Sequence, residues 1–76
     1  MAKVIMYTTP TCGYCKIAKA FFHENSVQFE EKDVTVDTEA REEFMKTGER
    51  GVPVIMVDDQ KVVGFDKEKL KILLGL

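Results

Sequence analysis

Lys3-Val4-Ile5-Met6-Tyr7-Thr8-Thr9-Pro10-Thr11-Cys12-Gly13-Tyr14-Cys15 places an apolar run, a short polar loop and a pair of cysteines in direct succession. Lys3 to Tyr7 is nearly continuous in strand-forming residues, which predicts a strand covered on both faces. Thr8-Thr9-Pro10-Thr11 ends it. Beyond that loop Tyr14, Ile17, Ala18, Phe21 and Phe22 recur three and four apart, the spacing of one helix face, so a helix is expected over 12–23 with Asn25 as its stop. Cys12 therefore falls where the loop turns into the helix.

That position decides the chemistry open to the pair. The first N–H groups of a helix have no partner inside it, and its amino end carries partial positive charge, so a thiolate there is favoured over a thiol. Cys12 should ionise below the free value of about 8.5. Cys15 lies one turn further in, and helix geometry puts the two Cα atoms about 5 Å apart, within the span of a disulfide. The bond can open and close without refolding: Cys12 attacks a substrate disulfide and Cys15 resolves the mixed disulfide. Gly13 leaves the turn unencumbered and Tyr14 can wall one side, while Lys16 and Lys19 read as solubility residues.

A stapled secreted miniprotein would spread four or more cysteines along its length, and this chain has two, closing too short a loop to act as a staple. Cys-Xaa-Xaa-Cys also chelates metals, but a closed zinc site needs about four ligands. The chain adds only His23, two helical turns beyond Cys15, which reads as a helix-surface residue, so no metal site within the chain is expected.

Downstream, Val27-Gln28-Phe29-Glu30 alternates as a strand near a sheet edge. Asp37 or Thr38 caps a second helix with Ala40, Phe44 and Met45 as its apolar stripe, Glu39 at its positive end and Gly48 at its close. Glu49-Arg50-Gly51 turns into a hairpin whose strands, 54–57 and 61–63, flank Asp58-Asp59-Gln60. Pro53 opens the first of them, a place proline tolerates. Gly64 ends the second, and Asp66 caps a last helix with Leu70, Ile72, Leu73 and Leu74 on its apolar side and Gly75 at its end. The carboxylates Glu30, Glu31 and Asp33 read as a solvated strand face. The expected fold is α/β, one domain over 1–76 with the order βαβαββα. Its sheet is mixed, because the first crossover makes a parallel pair and the hairpin an antiparallel one.

At 76 residues there is no room for a large internal cavity or a bulky cofactor. Eleven Lys and Arg against 13 Asp and Glu, a formal net charge of -2, argue against nucleic acid as a ligand. The amino end is too short an apolar stretch for a signal peptide and no segment approaches the roughly 20 apolar residues of a membrane span. A cytoplasmic protein without a membrane partner is expected.

Three separated motifs, Met6 to Cys15, Gly51-Val52-Pro53 and Val63-Gly64-Phe65-Asp66, together resemble the glutaredoxins, including the small glutaredoxin-like redoxins that serve ribonucleotide reductase. The resemblance covers essentially the whole chain. It implies a thioredoxin fold with a four-stranded sheet, three helices, and the first strand beside the hairpin. It implies that Val52-Pro53 is cis and lies beside the cysteines, with the Val52 backbone free to pair with an extended substrate, a contact that needs no particular side chain. It also implies a monomeric oxidoreductase with no tightly bound cofactor, glutathione as co-substrate, protein disulfides as substrates, and glutathione or thioredoxin reductase as reductant.

Carried over residue by residue, the substrate and glutathione contacts fall on Tyr14, Val52, Pro53, Gly64, Phe65 and Asp66, with Asp66 taking the amino group while also capping its helix. Two positions depart: Thr9 stands where many glutaredoxins carry a Lys, and Gly51 replaces a common Thr. Losing a charge-assisted contact costs about 1.5–3 kcal/mol, or roughly ten- to a hundredfold in affinity, which Arg50 offsets weakly. Phe65 instead resembles the Gly-Phe of the ribonucleotide-reductase redoxins, which take electrons from thioredoxin reductase. Gly13 replaces a common Pro, as in relatives that hold a bridging iron–sulfur cluster between two subunits. A redoxin independent of glutathione and a cluster carrier are thus the alternative functions.

Overall fold

The computed structural model describes residues 2–76. Its elements run β1 (Val4–Thr8), α1 (Gly13–Glu24), β2 (Glu30–Asp33), α2 (Thr38–Lys46), β3 (Val54–Val57), β4 (Gln60–Val63) and α3 (Lys67–Leu74). The four strands form one sheet in the order β2-β1-β3-β4, with β1 parallel to β2 and antiparallel to β3, and β3 antiparallel to β4. This is the mixed sheet and thioredoxin topology that the resemblance implies.

Alternation along the two central strands sorts the core into two layers. Val4 and Met6 of β1 and Ile55 and Val57 of β3 bury one face against Ala18, Phe21 and Phe22 of α1 and Leu70 of α3. Tyr7 and Val54 bury the other against Phe44 of α2, with Ile5, Met56, Val34 and Val52 packed around them. Both central strands are therefore apolar on both sides, as the Lys3–Tyr7 run predicts, although the ladder itself begins at Val4 and extends to Thr8.

Three sequence expectations are corrected. The second strand is Glu30–Asp33 instead of 27–30. Val27 and Phe29 do pack on the core, Phe29 with its ring 5.0 Å from that of Phe22, but as a lead-in; pairing with β1 starts at Glu30, opposite Ile5. Its edge position is as expected, and it explains how a charged Glu-Glu-Lys-Asp strand is tolerated. Met45 and Ile72 lie outside the core, 68% and 79% exposed. The hairpin turn has two residues instead of three, since Gln60 already pairs with Val57, and Asp58 takes a positive φ of 55°.

The helix ends follow the expected signals. Asp37 and Asp66 cap α2 and α3, Asn25 closes α1, and Gly48 and Gly75 adopt the positive φ that favours glycine beyond the last helical turns. No helix among the described residues is long and apolar enough to cross a membrane.

Candidate redox site

Strand register brings the three motifs to one end of the sheet. Tyr7 of β1 pairs with Val54 of β3, and Val54 with Val63 of β4. The loop leaving β1 toward Cys12, the loop arriving at β3 through Val52 and Pro53, and the Gly64–Asp66 turn leaving β4 all emerge there.

Cys12 is the N-cap of α1, in an extended conformation, and its Sγ accepts the Cys15 N–H at 3.1 Å. The Cys12 N–H donates to the Thr9 carbonyl at 3.3 Å, which closes the loop onto the helix start. The first turn of α1 carries no acidic residue, so nothing there cancels the positive helix end beside the sulfur. The two cysteines are joined as a disulfide with Cα atoms 5.3 Å apart, close to the spacing expected from helix geometry. They differ in access. Cys12 is partly exposed, whereas Cys15 is 2% exposed beneath it.

Pro53 is fully buried, the Val52-Pro53 bond is cis as the resemblance implies, and the Pro53 carbonyl accepts the Gly64 N–H at 2.8 Å. That bond links two of the motifs directly, and Gly64 makes it with a positive φ of 74°. The Val52 side chain packs inward toward the Tyr7, Phe44 and Val54 cluster. Among the described residues, the Val52 N–H and C=O form no hydrogen bond with the chain. Phe65 meets Phe21 edge to face with centroids 5.6 Å apart, which ties the third motif to α1. Asp66 Oδ1 accepts the Lys69 N–H at 3.2 Å; a carboxylate keeps further acceptor sites beyond this one.

Other expectations need revision. Tyr14 and Ile17, placed in the helix stripe, are 66% and 50% exposed and extend an apolar face from the cysteines along α1. Lys19 and Glu31 are not independent solvated residues. Lys19 Nζ and Thr8 Oγ1 both donate to Glu31 Oε2 at 3.0 Å, joining α1, β1 and β2. His23 is exposed against Phe29, and no group of three or more His, Cys, Asp or Glu gathers in a metal-binding arrangement among the described residues. Sequence reading also missed Lys61, which reaches from β4 to the loop before Val52. The sequence carries no signal for these contacts, since they join residues distant in the chain.

A partly exposed cysteine capping a helix, bonded to a buried one a turn below in a thioredoxin fold, defines a dithiol oxidoreductase. The comparisons narrow the class. The glutaredoxin family profile matches residues 4–62. Glutaredoxin 3 of Escherichia coli K12 is 40% identical over 67 residues, 87% of this chain and 81% of its own length. A crystal structure of a point mutant of the thioredoxin-like protein BC3987 superposes with a TM-score of 0.91 at 37% identity, covering 99% of this chain and 97% of that one. NrdH-redoxin of Escherichia coli superposes at 0.84 with 27% identity over 93% of each chain. The chain belongs to the glutaredoxin family.

Proposed function

We propose that this protein is a cytoplasmic, monomeric, single-domain dithiol electron carrier that reduces protein disulfides or glutathione mixed disulfides, with Cys12 as nucleophile and Cys15 as resolving thiol. The observation that carries this reading is the unequal access of the pair, an approachable sulfur at the helix cap above a buried one. In the reduced protein the Cys12 thiolate attacks one sulfur of the substrate disulfide. A Cys12–substrate disulfide forms, and the other substrate sulfur leaves as a thiolate. Cys15 then loses its proton and attacks the Cys12 sulfur, which regenerates the intramolecular disulfide and frees the second substrate thiol. Two electrons pass to the substrate, and two thiol equivalents from a reductant return the pair to its reduced state.

The free Val52 N–H and C=O, at the same sheet end, would pair with the extended backbone flanking the substrate cysteine. In this reading Tyr14, Gly64 and Asp66 line the approach, and glutathione is the co-substrate. No tightly bound cofactor enters the cycle.

A second reading concerns the reductant. NrdH-redoxin is described as glutaredoxin-like with a thioredoxin-like activity profile, and Phe65 together with Thr9 and the exposed Tyr14 and Ile17 favours a protein partner such as thioredoxin reductase over glutathione. Coupled turnover with glutathione plus glutathione reductase, set against turnover with thioredoxin reductase, separates the two. Glutathione-dependent turnover supports the first reading, turnover by thioredoxin reductase alone supports the second, and reduction of no disulfide by either route would refute both.

A further inference from the structure

The segment that presents Val52 is anchored on both sides, and one anchor is a side chain from the neighbouring hairpin. Lys61 lies in β4 opposite Met56, and its Nζ donates to the Thr47 carbonyl and to Glu49 Oε2, each at 2.9 Å. The Thr47 carbonyl sits at the carboxyl end of α2, where unpaired carbonyls and partial negative charge favour a cation. Thr47 is itself fixed: its Oγ1 donates to the Phe44 carbonyl at 2.6 Å and accepts the Glu49 N–H at 3.2 Å. On the far side the Pro53 carbonyl is held by Gly64. Only Arg50, Gly51 and Val52 lie between the two anchors. A chain that short, held at both ends, leaves the Val52 backbone little range of position.

We infer that Lys61 is a positioning residue for disulfide exchange, clamping the α2–β3 loop so that the Val52 backbone is set to receive a peptide substrate. The inference rests on the proposed function. Lys61 forms no hydrogen bond with either cysteine and acts through Thr47 and Glu49. Two of the three ammonium donors are occupied by the loop, and the pair with Glu49 is partly shielded on both sides. Its loss should therefore impair reaction with substrates that use the backbone contact while leaving the intrinsic reactivity of the thiol intact.

The test compares reduced wild type with Lys61→Met, Lys61→Arg and Glu49→Gln by stopped flow. One substrate is the disulfide-linked dimer of a short cysteine peptide; the other is 2-hydroxyethyl disulfide, which has no backbone amide. Lys61→Met is expected to lower the second-order rate constant for the peptide about five- to tenfold. The constant for 2-hydroxyethyl disulfide and the pH profile of Cys12 alkylation should stay at wild-type values. Lys61→Arg, which keeps cationic donors, should restore most of the loss, and Glu49→Gln should fall between. Amide order parameters of Gly51 and Val52 should drop in Lys61→Met.

An unchanged ratio of the two rate constants, or unchanged order parameters, would overturn the role of Lys61. If wild type reduces neither disulfide, the proposed function fails, and the order parameters still decide whether Lys61 holds the loop. If Lys61→Met does not fold, Glu49→Gln carries the same comparison.

Discussion

The three helices begin in the same geometry with different chemistry. Cys12 Sγ accepts the Cys15 N–H at 3.1 Å, Asp37 Oδ1 accepts the Ala40 N–H at 3.1 Å, and Asp66 Oδ1 accepts the Lys69 N–H at 3.2 Å. Two of these caps are carboxylates backed by an acid in the first turn, Glu39 in α2 and Glu68 in α3. The third is a sulfur with no acid behind it. A neutral disulfide sulfur is a weak acceptor, so α1 begins with a poorer cap than its neighbours. On reduction the same N–H faces a thiolate, and the bond becomes charge-assisted. The positive end that acids offset in α2 and α3 is left in α1 for the sulfur, so its N-terminus gives up stability where the chemistry needs an anion.

The strongest way to break this comparison is to exchange the cap. Cys12→Ser keeps a good capping hydroxyl but removes the nucleophile, so disulfide reduction should fall by at least about a thousandfold while thermal stability stays near that of the reduced wild type. Cys15→Ser should block dithiol turnover yet spare reduction of glutathione mixed disulfides, for which Cys12 and a second glutathione suffice. Full disulfide reductase activity in Cys12→Ser would remove the basis of the mechanism.

Exchanging a carboxylate cap should do the converse. Asp37→Ala is expected to destabilise the fold by about 1 kcal/mol, read from denaturant midpoints, with no change in the alkylation profile of Cys12. A shift in that profile would mean that the caps are coupled and that α1 is not electrostatically separate from α2.

How much of this could be read in the sequence depends on how local its causes are. β1, α1 and the cysteine cap were legible because a strand-forming run, a helical spacing and a loop stand next to one another in the chain. The caps Asp37, Asp66, Gly48 and Gly75 were legible because capping is decided within a few residues. The two apolar misplacements come from counting residues instead of angles. Met45 follows buried Phe44 and points about 100° away from it, and Ile72 lies two residues past Leu70, on the far side from Leu70, Leu73 and Leu74. The strand at Glu30–Asp33 was misplaced because the apolar Val27 and Phe29 pack, partly buried, against the core before the ladder begins. The Lys61 clamp and the Thr8–Glu31–Lys19 link had no local signature, since their partners meet only once the sheet has formed.

A subtler change adds to the first turn of α1 the acid that turn lacks. A Cβ at Gly13 meets nothing within 4 Å, so Gly13→Glu fits the first turn without steric cost. Its charge should compete with the thiolate for the positive helix end. Such a charge beside a helix N-terminus weakens its hold on an anion by about 0.3–1 kcal/mol, so the Cys12 thiolate should be less favoured and alkylation near neutral pH slower. Gly13→Gln is the neutral control, and an equal profile for the two variants would show that the helix end does not tune the sulfur.

The smallest effect separates the two faces of the sheet by pH. Beneath α2, Lys32 Nζ donates to Glu43 Oε1 at 2.8 Å, and that bond is the main reason the Lys32 pKa is raised above its ordinary 10.5. Tyr7, beside Phe44, is raised above 10.0 first by burial and then by the charge of Glu43. Both groups hold their protons more tightly in the folded protein than in the unfolded chain. Their contribution is therefore complete below about pH 10 and is lost as the pH rises through the raised folded values. The Lys32 pair is partly exposed, so its share is small. Asp33 runs the other way. Hydrogen bonds from the Thr35 hydroxyl and N–H lower its pKa, so its contribution is present above the ordinary carboxylate range and lost as the pH falls. Melting of the oxidised protein between about pH 9 and 11 should show an alkaline decline that Lys32→Met and Glu43→Gln both flatten, with α2 amides exchanging before those of α1. A Lys32→Met decline parallel to that of wild type would place the alkaline loss away from α2, and with it the claim that the two faces of the sheet respond separately to pH.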